Sequence, residues 1–78
     1  MQVDEYVWQD LTLVKAHLLE IRAKLMMRGG QFDAGEELLR TCINIRTVML
    51  GPDNPDTLAA EETLSKLVRT RDGTISTT

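Results

Sequence analysis

Only a few side chains of this 78-residue chain have the chemistry of a catalytic or ligand-binding group. The single histidine, His17, and the single cysteine, Cys42, could form a dyad in which the imidazole takes the thiol proton. Adjacent glutamates at 36–37 and 61–62 could act as paired carboxylates, and the glycine pair at 29–30 could belong to a phosphate-binding loop. Each possibility depends on spacing as well as on residue type.

The spacing argues against a catalytic, cofactor or metal site. Neighbouring residues on a helix point about 100° apart, so adjacent glutamates do not converge on one substrate atom. The glycine pair has no Lys-Ser or Lys-Thr after it, and one histidine with one cysteine falls short of a metal-ligand set. We predict no enzyme activity, no cofactor and no metal, with Cys42 packed in a core. The alternative is an enzyme subunit or regulator with His17 or Cys42 in a cleft formed on assembly.

The composition is typical of a small globular domain. Hydrophobic residues make up 42% of the chain, and nine basic side chains against twelve acidic ones give a net charge of -3. The two signs are interspersed, so no basic cluster faces a nucleic-acid backbone. The N-terminus lacks the features of a secretory leader, no apolar run approaches the roughly 18 residues of a membrane span, and the single cysteine fits a reducing compartment. We expect a cytoplasmic protein that binds neither nucleic acid nor membrane.

A first helix is predicted over residues 10–28, where aliphatic residues recur at steps of three and four. Asp10 could cap this helix, unless the helix already starts near Val3. Residues 1–9 have aromatic and β-branched content that would also suit a short strand, but their loose helical spacing favours a helix. The glycine pair at 29–30 ends the first helix, because glycine adopts positive φ without steric cost.

A second helix is predicted over residues 32–50. Gly51, with a proline behind it, is placed to end this helix, and Asn54 before Pro55 is typical of the start of the next one. Arg46 falls among the polar residues expected on the solvent side. The expected packing face consists of Leu38, Cys42, Ile45 and Met49, widened by Leu39, Ile43 and Leu50.

A third helix is predicted from Pro55 to about Arg71, with a narrower apolar stripe. Asp72 and Gly73 are expected to stop it, and the short polar tail over residues 73–78 is expected to be disordered. The most apolar part of its stripe consists of Leu64, Leu67 and Val68.

The chain also shows similarity to itself at a shift of 42 residues, which aligns Lys24 with Lys66. The same shift aligns Ala23 with Ser65. A helix pair repeated at a fixed period is typical of a solenoid, in which each unit packs against its neighbours.

The segment IRTVMLGPDNPDTL, residues 45–58, carries the most specific part of a resemblance. The chain resembles tetratricopeptide repeats of the roughly 42-residue kind found in kinesin light chains and in the sensor domains of many NB-ARC type signalling proteins. The resemblance covers residues 16–72 and departs from the family at Gly35, where alanine is preferred. The matching positions are Gly30, Phe32, Leu38, Cys42, Ile43, Ile45, Arg46, Leu50, Gly51, Pro55, Asp56, Thr57 and Leu58.

The resemblance implies an all-α fold, a tetratricopeptide-like antiparallel helical hairpin plus the first helix of a second repeat. Residues 1–15 would be a helical flank, 16–54 the first repeat, 55–72 the first helix of a truncated second repeat, and 73–78 a disordered tail. The implied function is a non-catalytic scaffold for protein–protein interaction, which presents a groove to a segment of a protein or peptide.

The resemblance also implies which residues face the partner. Lys24, Arg28, Lys66 and Arg69 would make that face locally basic, which suits an acidic peptide segment. The full implied set is His17, Glu20, Ile21, Lys24, Met27 and Arg28 in the first helix, with Glu62, Lys66 and Arg69 in the third.

Self-association is the alternative among binding functions. Three helices leave apolar faces without a neighbour, and repeat arrays need about three units for stability. A homodimer would cover the stripe of Leu64, Leu67 and Val68 on the third helix and the segment around Trp8.

Overall fold

A computed structural model describes the backbone of residues 5–75 and the side chains of residues 10–73. Three helices cover most of this range: α1 is Glu5–Arg28, α2 is Phe32–Leu50 and α3 is Pro55–Ile75. No strand occurs within residues 5–75, so the predicted all-α class is confirmed.

The turn between α1 and α2 is closed by backbone hydrogen bonds around the glycine pair. The N–H of Gln31 donates to the carbonyl of Met26 at 2.8 Å, and the N–H of Gly30 donates to the carbonyl of Met27 at 3.1 Å. Gly30 has a φ of +79°. This is a Schellman motif, which needs a residue that tolerates positive φ after the helix end. The predicted glycine stop is therefore confirmed.

The turn between α2 and α3 is held by side chains of the segment with the strongest sequence signal. Gly51 has a φ of +98°. The hydroxyl of Thr57, which is buried, donates a hydrogen bond to the carbonyl of Gly51 at 2.9 Å. The side-chain oxygen of Asn54 accepts from the N–H of Asp56 at 2.9 Å, as an N-cap residue does in the first turn of a helix. The predicted stop at Gly51 and cap at Asn54 are both confirmed.

Helix α2 lies between the other two, and α1 and α3 make little contact with each other. Two clusters of fully buried residues hold the three helices together, and each cluster takes one residue from each helix. The clusters are Ala16, Cys42 and Ala60, and Ala23, Leu39 and Leu67. The small alanines of α1 allow a close approach to α2, while leucines provide most of the buried apolar volume.

Both outer helices approach α2 closely at Gly35. A Cβ atom at this position would lie 3.2 Å from the backbone oxygen of Ala23 and 3.2 Å from Cδ1 of Leu67. The absence of a side chain at Gly35 therefore lets α1 and α3 pack on α2 at the same level.

Helix α1 begins earlier than the predicted position 10. It already includes Glu5, and no glycine or proline interrupts the residues between Glu5 and Asp10. Asp10 lies inside the helix and is exposed, so of the two alternatives the structure has the helix that begins before Asp10. The preference for helix over strand is confirmed for residues 5–9, whereas residues 1–4 lie outside the described part of the chain.

Helix α3 continues past the predicted end at Asp72. It reaches Ile75, beyond the predicted end, and residues 76–78 of the predicted tail lie outside the described range. Near this end the guanidinium of Arg71 contacts Glu36 at 2.9 Å and Asp33 at 3.3 Å, which ties α3 to the first turns of α2. A single glycine lowers helix propensity by only about 1 kcal/mol, so Gly73 need not end the helix.

The apolar stripe of α3 faces α2 rather than solvent. Leu67 is fully buried, and Leu64 and Val68 pack against the cluster that contains it. The prediction that these three residues need a second copy to cover them is therefore wrong. The segment around Trp8, the other face assigned to a dimer, lies outside the residues whose side chains are described.

Candidate functional site

The largest exposed apolar feature within residues 10–73 is a row of aliphatic side chains along α1. Each of the five is about half exposed, and they follow one another at steps of three, four, three and four residues. We call this row the α1 stripe: Leu11 (54% exposed), Val14 (55%), Leu18 (54%), Ile21 (42%) and Leu25 (58%). At 1.5 Å per residue the row is about 21 Å long.

The α1 stripe lies on the side of α1 that faces away from α2. Ala16 and Ala23 are fully buried against α2. Around the helix axis they lie about half a turn away from the α1 stripe. The other strongly exposed large apolar residues, Val48 on α2 and Leu58 on α3, each stand alone. A contiguous apolar row is more informative than such single residues, because surfaces of this kind mark interaction sites.

Basic side chains border the α1 stripe on both sides. Lys15 and Arg22 lie along the edge next to its leucines, and Lys24 lies along the opposite edge. Arg28 follows at the end of the helix. All four are exposed, and none forms an ion pair within the part of the chain whose side chains are described.

Four of the six partner-facing residues predicted in α1 are exposed. His17, Lys24 and Arg28 are exposed polar residues, and Ile21 belongs to the α1 stripe. Sequence reasoning did not assign the other members of the stripe to the partner-facing surface. Their helical spacing was visible in the sequence, but it reads equally well as the side of a helix that packs in a core.

The other two predicted residues of α1 are engaged within the fold. Met27 is half-buried and packs against the cluster of Ala23, Leu39 and Leu67. The carboxylate of Glu20 binds Arg46 of α2 and keeps only 12% of its side chain exposed. Both residues lie toward α2, because they follow the buried alanines by four residues.

The Glu20–Arg46 ion pair is the main polar contact between α1 and α2. Nη1 of Arg46 donates to Oε2 of Glu20 at 3.0 Å, and Nη2 donates to Oε1 at 3.4 Å. This is the two-point arrangement in which a guanidinium matches a carboxylate. The side chain of Arg46 is 10% exposed, so its predicted solvent-side position is wrong.

The position of Arg46 could have been found from a different register of α2. Gly35, Leu39, Cys42 and Arg46 follow one another at steps of four, three and four, and all four are buried. The register centred on Leu38 placed Arg46 outside the packing face. A charged residue on a buried face needs a partner of opposite charge.

The ion pair shifts the acid–base equilibria of both groups. Burial alone would raise the pKa of Glu20, but the hydrogen bond from Arg46 and its positive charge together lower that pKa below 4.5. Burial alone would lower the pKa of Arg46, but the hydrogen bond to Glu20 and nearby negative groups raise it above its usual value. Both residues are therefore charged at neutral pH.

Stability is expected to fall in acid because of Glu20. A carboxyl group whose pKa is lower in the folded than in the unfolded chain stabilises the fold above the unfolded pKa, and this contribution disappears as pH falls through the folded pKa. Glu36, whose pKa is also lowered, acts in the same direction. The urea concentration at the unfolding midpoint should fall between about pH 6 and about pH 3, the range in which carboxyl groups titrate. Glu20→Gln should make this fall shallower. An equally steep drop in Glu20→Gln would contradict this assignment.

The predicted residues of α3 form a separate exposed group. Glu62 and Lys66 pair with each other at 3.8 Å, and both side chains are more than half exposed. Arg69 is exposed one turn further along. Within the described side chains, no ion pair joins this group to the predicted residues of α1.

The two residues with potential for nucleophilic chemistry have different environments. Cys42 is fully buried between Ala16 and Ala60, and its predicted place in the core is confirmed. The side chain of His17 is 64% exposed and lies 3.9 Å from Glu20. Burial raises the pKa of the Cys42 thiol, and the nearby Glu20 charge adds to this rise although Arg46 opposes it. The thiol is therefore neutral at physiological pH.

A thiol reagent is expected to reach Cys42 only when the chain opens. At pH 8 the native protein should be labelled at least about a hundredfold more slowly than the urea-unfolded chain. The matched control is a Cys42→Ala chain with Val48→Cys, since Val48 is 83% exposed and should be labelled quickly in the native state. Fast labelling of native Cys42 would show a reactive, accessible thiol instead.

The described residues show neither a metal-binding group nor a membrane-spanning helix. Among the described residues, no group of three or more His, Cys, Asp or Glu side chains could hold a metal ion. None of the described helices combines the length and the apolar character required to cross a membrane. Comparison with protein-family models, with curated proteins and with solved structures finds no match for this chain.

Proposed function

We propose that this chain is a non-catalytic helical module for protein–protein interaction, and that its partner binds along the α1 stripe. The observation that carries the proposal is the contiguous row of five half-exposed aliphatic residues on the face of α1 opposite α2. The row has the 3-4 spacing of a helix–helix seam. A folded chain gains nothing from keeping such a row in water, whereas a partner helix would gain by burying it.

The resemblance to tetratricopeptide repeats supports the same proposal. In such repeats each helix pair buries its outer face against a neighbouring unit, and the end of an array leaves one face uncovered. Three helices with α2 in the middle and caps at Gly51 and Asn54 are compatible with one repeat and the first helix of the next. We accordingly propose a scaffold role in the cytoplasm, where the buried single Cys42 suits a reducing environment.

The proposal is tested by photo-crosslinking in cells that express the full chain. A photoreactive amino acid replaces Val14 within the α1 stripe, and a matched control replaces exposed Asn44 on α2. We expect discrete adducts with another protein from position 14 and none from position 44, with the adducts lost on adding Leu18→Glu. Equal adduct patterns from both positions, or adducts that survive Leu18→Glu, would contradict the assignment of the α1 stripe.

Self-association is a second candidate function, because a helix seam of this spacing can also pair with a copy of itself. It predicts that the position-14 adduct contains two copies of the chain and that light scattering shows a dimer. Light scattering across a dilution series of the purified chain separates the two functions, since a partner-binding module stays monomeric throughout.

A further inference from the structure

We propose that the occupant of the α1 stripe is an amphipathic helix whose apolar row is bordered by acidic side chains. This inference rests on the proposed function and specifies the chemistry of the partner.

The shape of the α1 stripe fits a helix. Steps of three and four residues keep the five side chains on one line, and about half of the surface of each is available for contact with a facing helix. The row is narrow, because the flanking positions on both sides are charged. A narrow row of about three turns suits helix–helix packing, whereas insertion into a lipid surface uses a broader apolar face.

The charges beside the α1 stripe favour acidic groups on the partner. Lys15 and Arg22 border one edge, Lys24 borders the other, and Arg28 lies at the end. Asp10 is the one exposed acidic residue among positions 10–28, since Glu20 is bound to Arg46 on the other side of the helix. In a helix pair these positions face the edge positions of the partner, where opposite charge sets partner choice and orientation.

A second copy of the chain is a poor match to the same charges. In an antiparallel pair of α1 helices, Lys15 of one copy would lie beside Arg22 of the other, and Lys24 would lie beside His17. In either orientation a two-fold pair brings together two surfaces of the same net charge. A partner with Glu or Asp at these positions removes the repulsion and replaces it with attraction.

Two synthetic helical peptides with the same leucine row test the proposal against the full chain. One peptide carries Glu and the other Lys at the positions that border the row, and binding is measured by fluorescence anisotropy. We expect the Glu peptide to bind at least about tenfold more tightly, with an affinity that falls as salt is added. Equal affinity of the two peptides would overturn the charge assignment but leave the α1 stripe as a docking site.

Variants of the chain locate the binding. Leu18→Glu should abolish binding of the Glu peptide, while Val48→Glu, an equally large change on exposed α2, should leave it unchanged. Lys15→Glu combined with Arg22→Glu should reverse the preference in favour of the Lys peptide. Lys66→Glu should have no effect, and a loss equal to that of Leu18→Glu would move the binding to the exposed group of Glu62, Lys66 and Arg69 on α3.

Three further outcomes would overturn the proposal in distinct ways. Failure of both peptides to bind, together with stripe-dependent crosslinking in cells, would refute the acidic helix while retaining the proposed function. Light scattering that shows a dimer lost on Leu18→Glu would identify a second copy as the occupant. Leu18-dependent binding to vesicles of phosphatidylcholine with phosphatidylserine, without binding to the Glu peptide, would identify a membrane surface.

Discussion

Replacing Arg46 with alanine is expected to lower the free energy of unfolding by about 3 kcal/mol, because the change leaves the carboxylate of Glu20 without its partner at a largely buried position. The side chains of the pair are 10% and 12% exposed, so solvent offers Glu20 little compensation. Urea unfolding followed by circular dichroism measures the effect. The loss should be large relative to the total stability of a domain of this size.

Two controls separate the buried pair from surface charge. Arg40→Ala removes an arginine that contacts Glu36 at 3.4 Å but is 62% exposed, and should cost less than about 0.5 kcal/mol. Arg46→Met combined with Glu20→Leu replaces the pair by apolar side chains and should recover most of the stability lost in Arg46→Ala. If the double replacement is at least as destabilising as Arg46→Ala, the loss does not arise from an unpaired charge.

Leu39→Ala is expected to destabilise the fold by about 2–5 kcal/mol, because the truncation leaves a cavity where all three helices meet. Leu39 is fully buried and lies in one cluster with Ala23 of α1 and Leu67 of α3. The cavity would lie between α1 and α3, so closing it would require one of these helices to move toward α2. Thermal and urea unfolding of the variant measure the loss.

Milder and exposed substitutions make the Leu39 result interpretable even if the alanine variant does not fold. Leu39→Met conserves volume and should cost less than about 1.5 kcal/mol. Leu11→Ala, at a leucine of the α1 stripe that is 54% exposed, should change the stability by less than about 0.5 kcal/mol in the isolated chain. A loss at Leu11 comparable to that at Leu39 would mean that the stripe is buried in the isolated chain.

Short-range signals in the sequence predicted the helix boundaries that depend on them. The predicted second helix has the observed bounds Phe32–Leu50, and the start of α3 at Pro55 is also correct. The signals there are glycines that adopt positive φ and an asparagine that caps its own helix. Such signals act within a few residues, so they can be recognised without knowledge of the fold.

Contacts between distant residues were the ones that sequence reasoning missed. Glu20 and Arg46 are 26 positions apart, and nothing in their local spacing reveals that they meet. Arg71 reaches Glu36 across 35 positions, near the end of α3. Ion pairs between helices depend on how the helices pack, which local periodicity does not determine.

The 42-residue self-similarity does not extend to the packing faces of α1 and α3. The shift aligns buried Ala23 with Ser65, but Ser65 is exposed, and α3 packs on α2 through Ala60 and Leu67. Ser65 and Leu67 are two residues apart, and such a step turns a helix by about 200°.

The central claim, that the α1 stripe is the binding surface, is tested most directly by methyl NMR of the full chain during titration with the Glu peptide. We predict shift changes concentrated at the methyl groups of Leu18, Ile21 and their neighbours in the α1 stripe, with those of Val48 and buried Leu67 almost unchanged. Shift changes centred on Val48 or on the exposed side of α3, with the stripe unaffected, would contradict the claim.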